Sequence, residues 1–217
     1  AAACPACSSR YGRSRGYYSS TTPTTSYDNT WRGTGSGGSR AASVASTRPR
    51  WSRTGSSVTY TAAEVRSLTP IRESVERRAV VPDLRDVFLC HAWDDRQGAA
   101  RELHDLLEAS GVSVWFSEKD VLLGSSLLRE IDKGLATSKI GIVLVTPAFL
   151  KRVAAEGIAE KELSVLLARD LLVPIVHNTT YEALRDVSPL LGSRSGLDTA
   201  NDTLANVAAK LAELVAR

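Results

Sequence analysis

Between residues 83 and 217 the chain alternates two hydrophobic patterns. Short apolar runs occur at Asp86–Cys90, Val112–Phe116, Lys139–Val145 and Leu171–Val176. Between them, apolar residues recur every three or four positions, the period of one helix face. Leu103, Leu106 and Leu107 mark a helix over Ala99–Ser110, closed by Gly111. Leu127, Leu128, Ile131 and Leu135 mark a second over Ser125–Ala136. Thr146-Pro147 opens a further helical segment, broken near Gly157, and another helix covers Ala159–Arg169. A short helix near Thr180–Asp186 and a last one over Thr199–Ala216 complete the series.

The strand runs, Lys139–Val145 above all, have no polar face. A strand apolar on both sides needs cover on both sides, and helices between successive strands supply it when the strands run parallel. The pattern therefore predicts an α/β fold, a flavodoxin-like doubly wound parallel sheet with right-handed crossovers. Ligands of such sheets sit beyond the carboxyl ends of the strands. That directs attention to the loops His91–Arg96, Ser117–Ser126, Thr146–Glu162 and His177–Thr180.

The N-terminal part differs in composition. Ser, Thr and Gly fill 29 of the first 60 positions. Residues 1–70 hold nine arginines, no lysine and two acids, Asp28 and Glu64, whereas the remainder is mildly acidic, so the net charge of +3 hides a split. Segments such as Gly33–Ser39 bury too little to offset a backbone entropy cost of about 1–2 kcal/mol per residue. Residues 1–60 are expected to be a disordered, basic, low-complexity tail. Residues 61–82 are expected to be a helical linker that packs on the domain or on a neighbouring chain, with Val65, Leu68, Ile71 and Val75 on one stripe and Pro70 breaking it or starting its second piece. Residues 83–217 form the folded domain.

Several classes fall away. No run of 18 apolar residues exists, so no membrane span is expected, and no charged-then-apolar leader is visible. Three cysteines point to a reducing, cytoplasmic setting. Cys4-Pro5-Ala6-Cys7 is half of a zinc site whose second pair another chain would have to supply, or else a pair of exposed thiols or a remnant of a small zinc-binding module, so no metal site is assigned within the chain. The tail arginines form no compact stripe, which argues against a nucleic-acid surface. The first strand-to-helix turn, Cys90–Asp95, has no glycine, so neither a dinucleotide fingerprint nor a P-loop is present. Asp94 and Asp95 would suit a phospho-receiver, but the third strand ends in Thr146-Pro147 where an aspartate is needed.

Three segments in order resemble the TIR (Toll/interleukin-1 receptor) domain, and most of all its bacterial members. Asp86–Asp95, DVFLCHAWDD, is similar to the family's opening strand and loop, often of the form DVFISHASED. Gly111–Phe116, Val121–Leu127 and Ile131–Leu135 resemble the second strand, the BB loop and the following helix. Ser138–Phe149 followed by Glu160-Lys161-Glu162-Leu163 resembles the third strand and the helix that bears the family's glutamate.

The resemblance implies an enzyme that cleaves the nicotinamide–ribose bond of NAD+, with Glu162 catalytic. It implies a substrate site drawn from His91, Ala92, Trp93, Asp94, Trp115, Phe116, Gly124, Ser125 and Ile158. NAD+ would be substrate, with no separate cofactor. It further implies self-association through TIR–TIR contacts and a role in signalling or bacterial immunity. The alternative is a non-enzymatic TIR interaction module. Many enzymatic relatives carry Trp where this chain has Ile158. One carboxylate suffices for such a reaction, because nicotinamide is a pyridinium that departs neutral and needs no general acid. Ordinary glycosidases need a second carboxyl to protonate an alkoxide. Gly124 supplies a turn, and Ser125 caps a helix whose amides suit a phosphate.

Overall fold

The structure, a computed structural model, describes residues 47–116, 127–156, 167 and 170–216. Five parallel strands form one sheet in the order β2-β1-β3-β4-β5. They are β1 (Arg85–Cys90), β2 (Val114–Phe116), β3 (Ser138–Val145), β4 (Leu172–Val176) and β5 (Leu197–Asp198). The helices are α1 (Ala62–Arg78), α2 (Ala99–Ala109), α3 (Leu127–Thr137), α4 (Pro147–Glu156), α5 (Tyr181–Val187), α6 (Pro189–Gly192) and α7 (Leu204–Val215). The expected doubly wound class is present.

Every residue of β3 is buried. Its alternate side chains feed two cores, as the two-residue period of a strand requires. Ile140, Ile142 and Leu144 join Val87, Leu89, Val173 and Ile175 beneath α1, α2 and α7. Val143 and Val145 join Phe88, Cys90 and Val176 beneath α3, α4, α5 and α6. Gly134 lets α3 close onto β1: a Cβ there would lie 2.3 Å from the Phe88 ring. Gly111, at φ +80°, ends the turn after α2 in a conformation that costs glycine little.

Four expectations need correction. The tail was expected to reach residue 60, yet Tyr60 is 1 % exposed and packs in the first core with Trp51 and Val58 against it. Aromatic burial outweighs the polar composition around it. Within residues 61–82 a break or restart was expected at Pro70; instead α1 runs unbroken through it. Its buried stripe of Leu68, Ile71 and Val75 lies in the core beneath the sheet, and that packing outweighs the cost of about 3 kcal/mol for an interior proline. The four-strand count missed β5, whose two residues are too few to show a period, and the last helix begins at Leu204, not Thr199. The expected helix over Ala159–Arg169 and the Cys4–Cys7 pair lie outside the described residues. Among those residues, no helix is long and apolar enough to cross a membrane.

Polar contacts fix α1 in place. Thr61 and Glu64 close a capping box at its N-terminus. The buried Lys210 ammonium on α7 donates to Glu64 Oε1 and Asp202 Oδ2, both at 2.7 Å. The Tyr60 hydroxyl donates to Glu213 Oε2 at 3.0 Å. Arg72 Nη1 donates to the carbonyls of Leu214 at 2.8 Å and Ala216 at 2.6 Å. Those carbonyls stand at the C-terminus of α7, where no intrahelical partner exists. Arg78 Nη2 does the same for Leu135 and Ser138, between α3 and β3, at 2.7 and 2.8 Å. At the start of β1, burial opposes ionisation of Asp86. Hydrogen bonds from Lys139, at 2.5 Å, and Ser113 outweigh it and hold the carboxyl below its ordinary value.

Because Arg72 satisfies two carbonyls from a half-buried position, Arg72→Ala is expected to lower the unfolding free energy by about 2 kcal/mol, the range for charge-assisted hydrogen bonds. Urea unfolding followed by circular dichroism measures it, and an unchanged midpoint would contradict the capping role.

Candidate functional site

Strand order 2-1-3-4-5 reverses direction between β1 and β3. The helices after these two strands go to opposite faces, and sheets of this order bind ligands in the crevice at the carboxyl ends of the strands where the order reverses. His91 and Ala92 follow β1 and lead into a single 3-10 turn, Trp93–Asp95. Thr146 follows β3 and begins α4. Its hydroxyl does two things at once. It accepts from the Phe149 N–H at 3.0 Å, capping the helix, and donates to Asp95 Oδ2 at 2.6 Å. One side chain thus ties the loop after β1 to the loop after β3.

His91 is 7 % exposed. Its ring stacks on Phe116 at 4.7 Å and 24°, and Phe116, the last residue of β2, also meets His104 at 4.9 Å. His91 Nδ1 lies 2.8 Å from the Ala92 carbonyl. A carbonyl only accepts, so Nδ1 carries the proton and Nε2 is the bare acceptor. That Nε2 is buried and has no hydrogen-bond partner among the described residues. Burial pushes the pKa of His91 below its ordinary value; the Ala92 carbonyl and the carboxylates of Asp95 and Glu130 oppose the shift, and Arg152 reinforces it.

Glu130 and Arg152 bring two helices into the group. Glu130 stands in the first turn of α3 and Arg152 on α4, with Nη2 3.1 Å from Oε1 and both side chains largely buried. The rim at the ends of β1 and β3 therefore gathers charges of both signs, a hydroxyl, a neutral imidazole and an aromatic ring.

Of the residues expected to bind substrate, the structure brings His91, Ala92 and Phe116 together. Ala92 contributes its carbonyl, while its methyl is buried in the second core. Trp93 and Asp94 lie on the exposed side of the turn; Trp93 is 50 % exposed, with the Arg96 guanidinium 3.9 Å over its ring. Trp115 packs on Phe88 at 5.1 Å, under Lys133, and belongs to the core on the α3 side. Gly124, Ser125, Ile158 and Glu162 lie outside the described residues. His177 stands farther along the rim, its Nδ1 2.9 Å from Thr199 Oγ1 and its Nε2 3.0 Å from Asn178 Nδ2, so both nitrogens are satisfied. Among the described residues, no cluster of histidine, cysteine or acidic side chains could hold a metal ion.

Sequence reasoning did not single out Asp95, Thr146, Glu130 or Arg152 as site residues. Glu130 reads as an acid in the first turn of a helix and Thr146 as a helix cap, both correct locally. Their meeting depends on strand order.

A parallel sheet with this strand order defines a doubly wound α/β domain, a class whose ligands bind beyond the carboxyl ends of the strands at the switch point. The chain belongs to the TIR domain family, whose family model matches residues 87–215. It is 31% identical over 134 residues to the 2′ cyclic ADP-D-ribose synthase BtTIR of Bacteroides thetaiotaomicron, covering 59% of this chain and 45% of that protein. It is 33% identical over 135 residues to the 2′ cyclic ADP-D-ribose synthase AbTIR of Acinetobacter baumannii (strain 1295743), covering 60% and 49%. With the NAD(+) hydrolase TcpA of Theionarchaea archaeon (strain DG-70-1) it shares 35% identity over 114 residues, covering 50% and 33%. The chain spans less than half the length of each of these relatives.

The lowered pKa of His91 makes a signed prediction. Unfolding frees an imidazole that takes up a proton near pH 6.5, while the buried ring resists protonation until the pH is lower. This contribution to stability is present above that pH and is lost as the pH falls. From about pH 7 to about pH 5, the wild-type melting temperature should fall more steeply than that of His91→Gln. Parallel slopes in thermal unfolding would contradict it.

Proposed function

We propose that this domain cleaves the bond between nicotinamide and ribose in NAD+, releasing nicotinamide and either ADP-ribose or a cyclised ADP-ribose. The observation that carries the reading is the switch-point crevice of His91, Asp95, Thr146 and the Glu130–Arg152 pair, in a TIR domain similar to proteins named NAD+ hydrolases and cyclic ADP-ribose synthases.

The chemistry asks little of the protein. The leaving group is already activated, so the barrier is the charge that develops on the ribosyl carbon. A carboxylate beside the ribose stabilises that charge and accepts from the sugar hydroxyls. Glu162 takes this role in our reading, on its position in the KEL stretch. Water capture of the ribosyl carbon gives ADP-ribose; attack by another group of the same nucleotide gives a cyclic product. The exposed face of Trp93, braced by Arg96, provides a platform for an aromatic ring of the substrate. The loop over residues 117–126 serves both the nucleotide and contacts with a second TIR domain, and activity rises on self-association.

Incubation of the full chain with NAD+ tests this. Nicotinamide release, with a product that mass spectrometry assigns as linear or cyclic, is expected to fall about 10²–10³-fold in Glu162→Gln. Its dependence on protein concentration should be steeper than linear. No release at high protein concentration, or unchanged release in the variant, would favour a non-enzymatic module that binds partner TIR domains. Trp93→Ala is expected to raise KM for NAD+ about tenfold with little change in kcat, since stacking on an aromatic ring contributes about 1–3 kcal/mol. An unchanged KM would remove Trp93 from the site.

A further inference from the structure

At the amino-terminal edge of the sheet, opposite the rim that carries His91 and Thr146, lies a cavity of about 400 Å³. Asp86 of β1 and Lys139 of β3 line it, together with Ser113, just before β2, and Arg53 from the segment ahead of α1. Small-molecule sites span about 300–1,000 Å³, so the volume is sufficient for one. The NAD+ reading makes no use of it.

Lys139 is the informative residue. Among the described residues two lysines are at least nine-tenths buried, Lys139 and Lys210. A buried ammonium loses its hydration and depends on the partners that replace it. Lys210 has two carboxylates, Glu64 and Asp202, each at 2.7 Å. Lys139 has one, Asp86 at 2.5 Å, and no other partner among the described residues. An ammonium carries three donors, so two of those on Lys139 are unspent. Asp86 has little left to offer them, because its Oδ2 already accepts from the Ser113 N–H at 2.9 Å and the Ser113 hydroxyl at 2.8 Å.

Arg53 adds a second cation. It is exposed at the cavity, and its guanidinium has no partner among the described residues. The negative ends of two helices also reach this edge, since Ser110 ends α2 and Ala216 ends α7. Both are answered from within the chain. The N–H groups of Ser110, Gly111 and Val112 donate to the last carbonyls of α2, and Arg72 donates to those of Leu214 and Ala216. What remains unmatched around the cavity is positive.

We propose that this cavity binds a small oxyanion, the carboxylate or phosphate group of a metabolite-sized molecule, held between Lys139 and Arg53. Ammonium and guanidinium donors both suit such oxygens, and the guanidinium fork matches their spacing. The ligand takes at Lys139 the place that a second carboxylate holds at Lys210. It also joins the segment ahead of α1 to the sheet, because Arg53 belongs to the one and Lys139 to the other. The site is at the far edge from the carboxyl-end rim, so it stands whether or not the domain cleaves NAD+.

Calorimetric titration of the full chain, in chloride buffer, with inorganic phosphate and separately with succinate tests this. At least one is expected to bind saturably at one site per chain, and the one that binds distinguishes phosphate from carboxylate. Arg53→Gln is expected to weaken that binding about tenfold, as loss of a charge-assisted hydrogen bond does. Arg50→Gln removes the same charge from an exposed neighbour that does not line the cavity, and should leave the affinity unchanged. On saturation the amide resonances of Gly111, Ser113 and Lys139 should move, while those of Trp93 and Asp95 at the opposite edge stay in place. Lys139→Met should abolish binding; if that variant does not fold, Arg53→Gln and the amide shifts still decide. Binding of neither anion below about 10 mM overturns the proposal. So do equal losses in the two arginine variants, or amide shifts confined to the carboxyl-end rim.

Discussion

A central strand with no polar side governs this molecule. Ser138–Val145 is buried at every position, so the sheet must be covered on both faces. Helices that cross from one strand to the next supply that cover where the strands run parallel, as all five do here, and parallel strands bring all their carboxyl ends to one edge. Side chains within the sheet are consumed by packing. Chemistry is left to the residues just past the strand ends, and the reversal between β1 and β3 opens room for a ligand there. The position of the candidate site thus follows from the hydrophobicity of a strand that contributes nothing to it directly.

The same logic explains why the rim residues are so interdependent. Thr146 cannot cap α4 and restrain Asp95 unless β1 and β3 are neighbours in register, as Cys90 opposite Val143 makes them. His91 cannot stack on Phe116 unless β2 pairs on the other side of β1, as Leu89 opposite Phe116 makes it. Glu130 and Arg152 meet because α3 and α4 cover the same face of the sheet. The group is assembled from four separate stretches of chain, each placed by backbone pairing or core packing. Polar groups that depend on so many elements hold their geometry only while the whole fold does.

This also marks what could be read from the sequence and what could not. The α/β class and the first four strands were legible because their apolar runs are long relative to the period being sought. β5 was not, since Leu197–Asp198 offers two residues and a sheet edge. Likeness to a known family pointed to His91, Ala92 and Phe116 as a group, and strand pairing does bring the three side by side. Thr146 and Glu130 were hidden, because each already has an adequate local reason to be where it is. Tyr60 and Trp51 were hidden by their neighbours: a window rich in Ser, Thr and Arg averages out two aromatic side chains that the core takes up. Pro70 misled for a related reason. Local propensity penalises it, while the stripe on either side, packed on the sheet, sets the outcome.

The packed unit is consequently larger than the stretch that matches the family. The match begins at residue 87, yet Leu68, Ile71 and Val75 of α1 share a core with Ile140, Ile142 and Val173. Arginines of the same helix complete the C-termini of α7 and α3. A helix that fills a core and caps two others is part of the domain in every energetic sense. Without it, the sheet face over β3 and β4 would lose apolar cover, and the carbonyls ending α7 would lose their donors. The polar network of Lys210, Glu64 and Asp202 adds orientation to that attachment rather than a large share of its strength, because a buried ion pair must first overcome its own desolvation. Burial holds α1 against the sheet, and the paired charges set the register in which it lies.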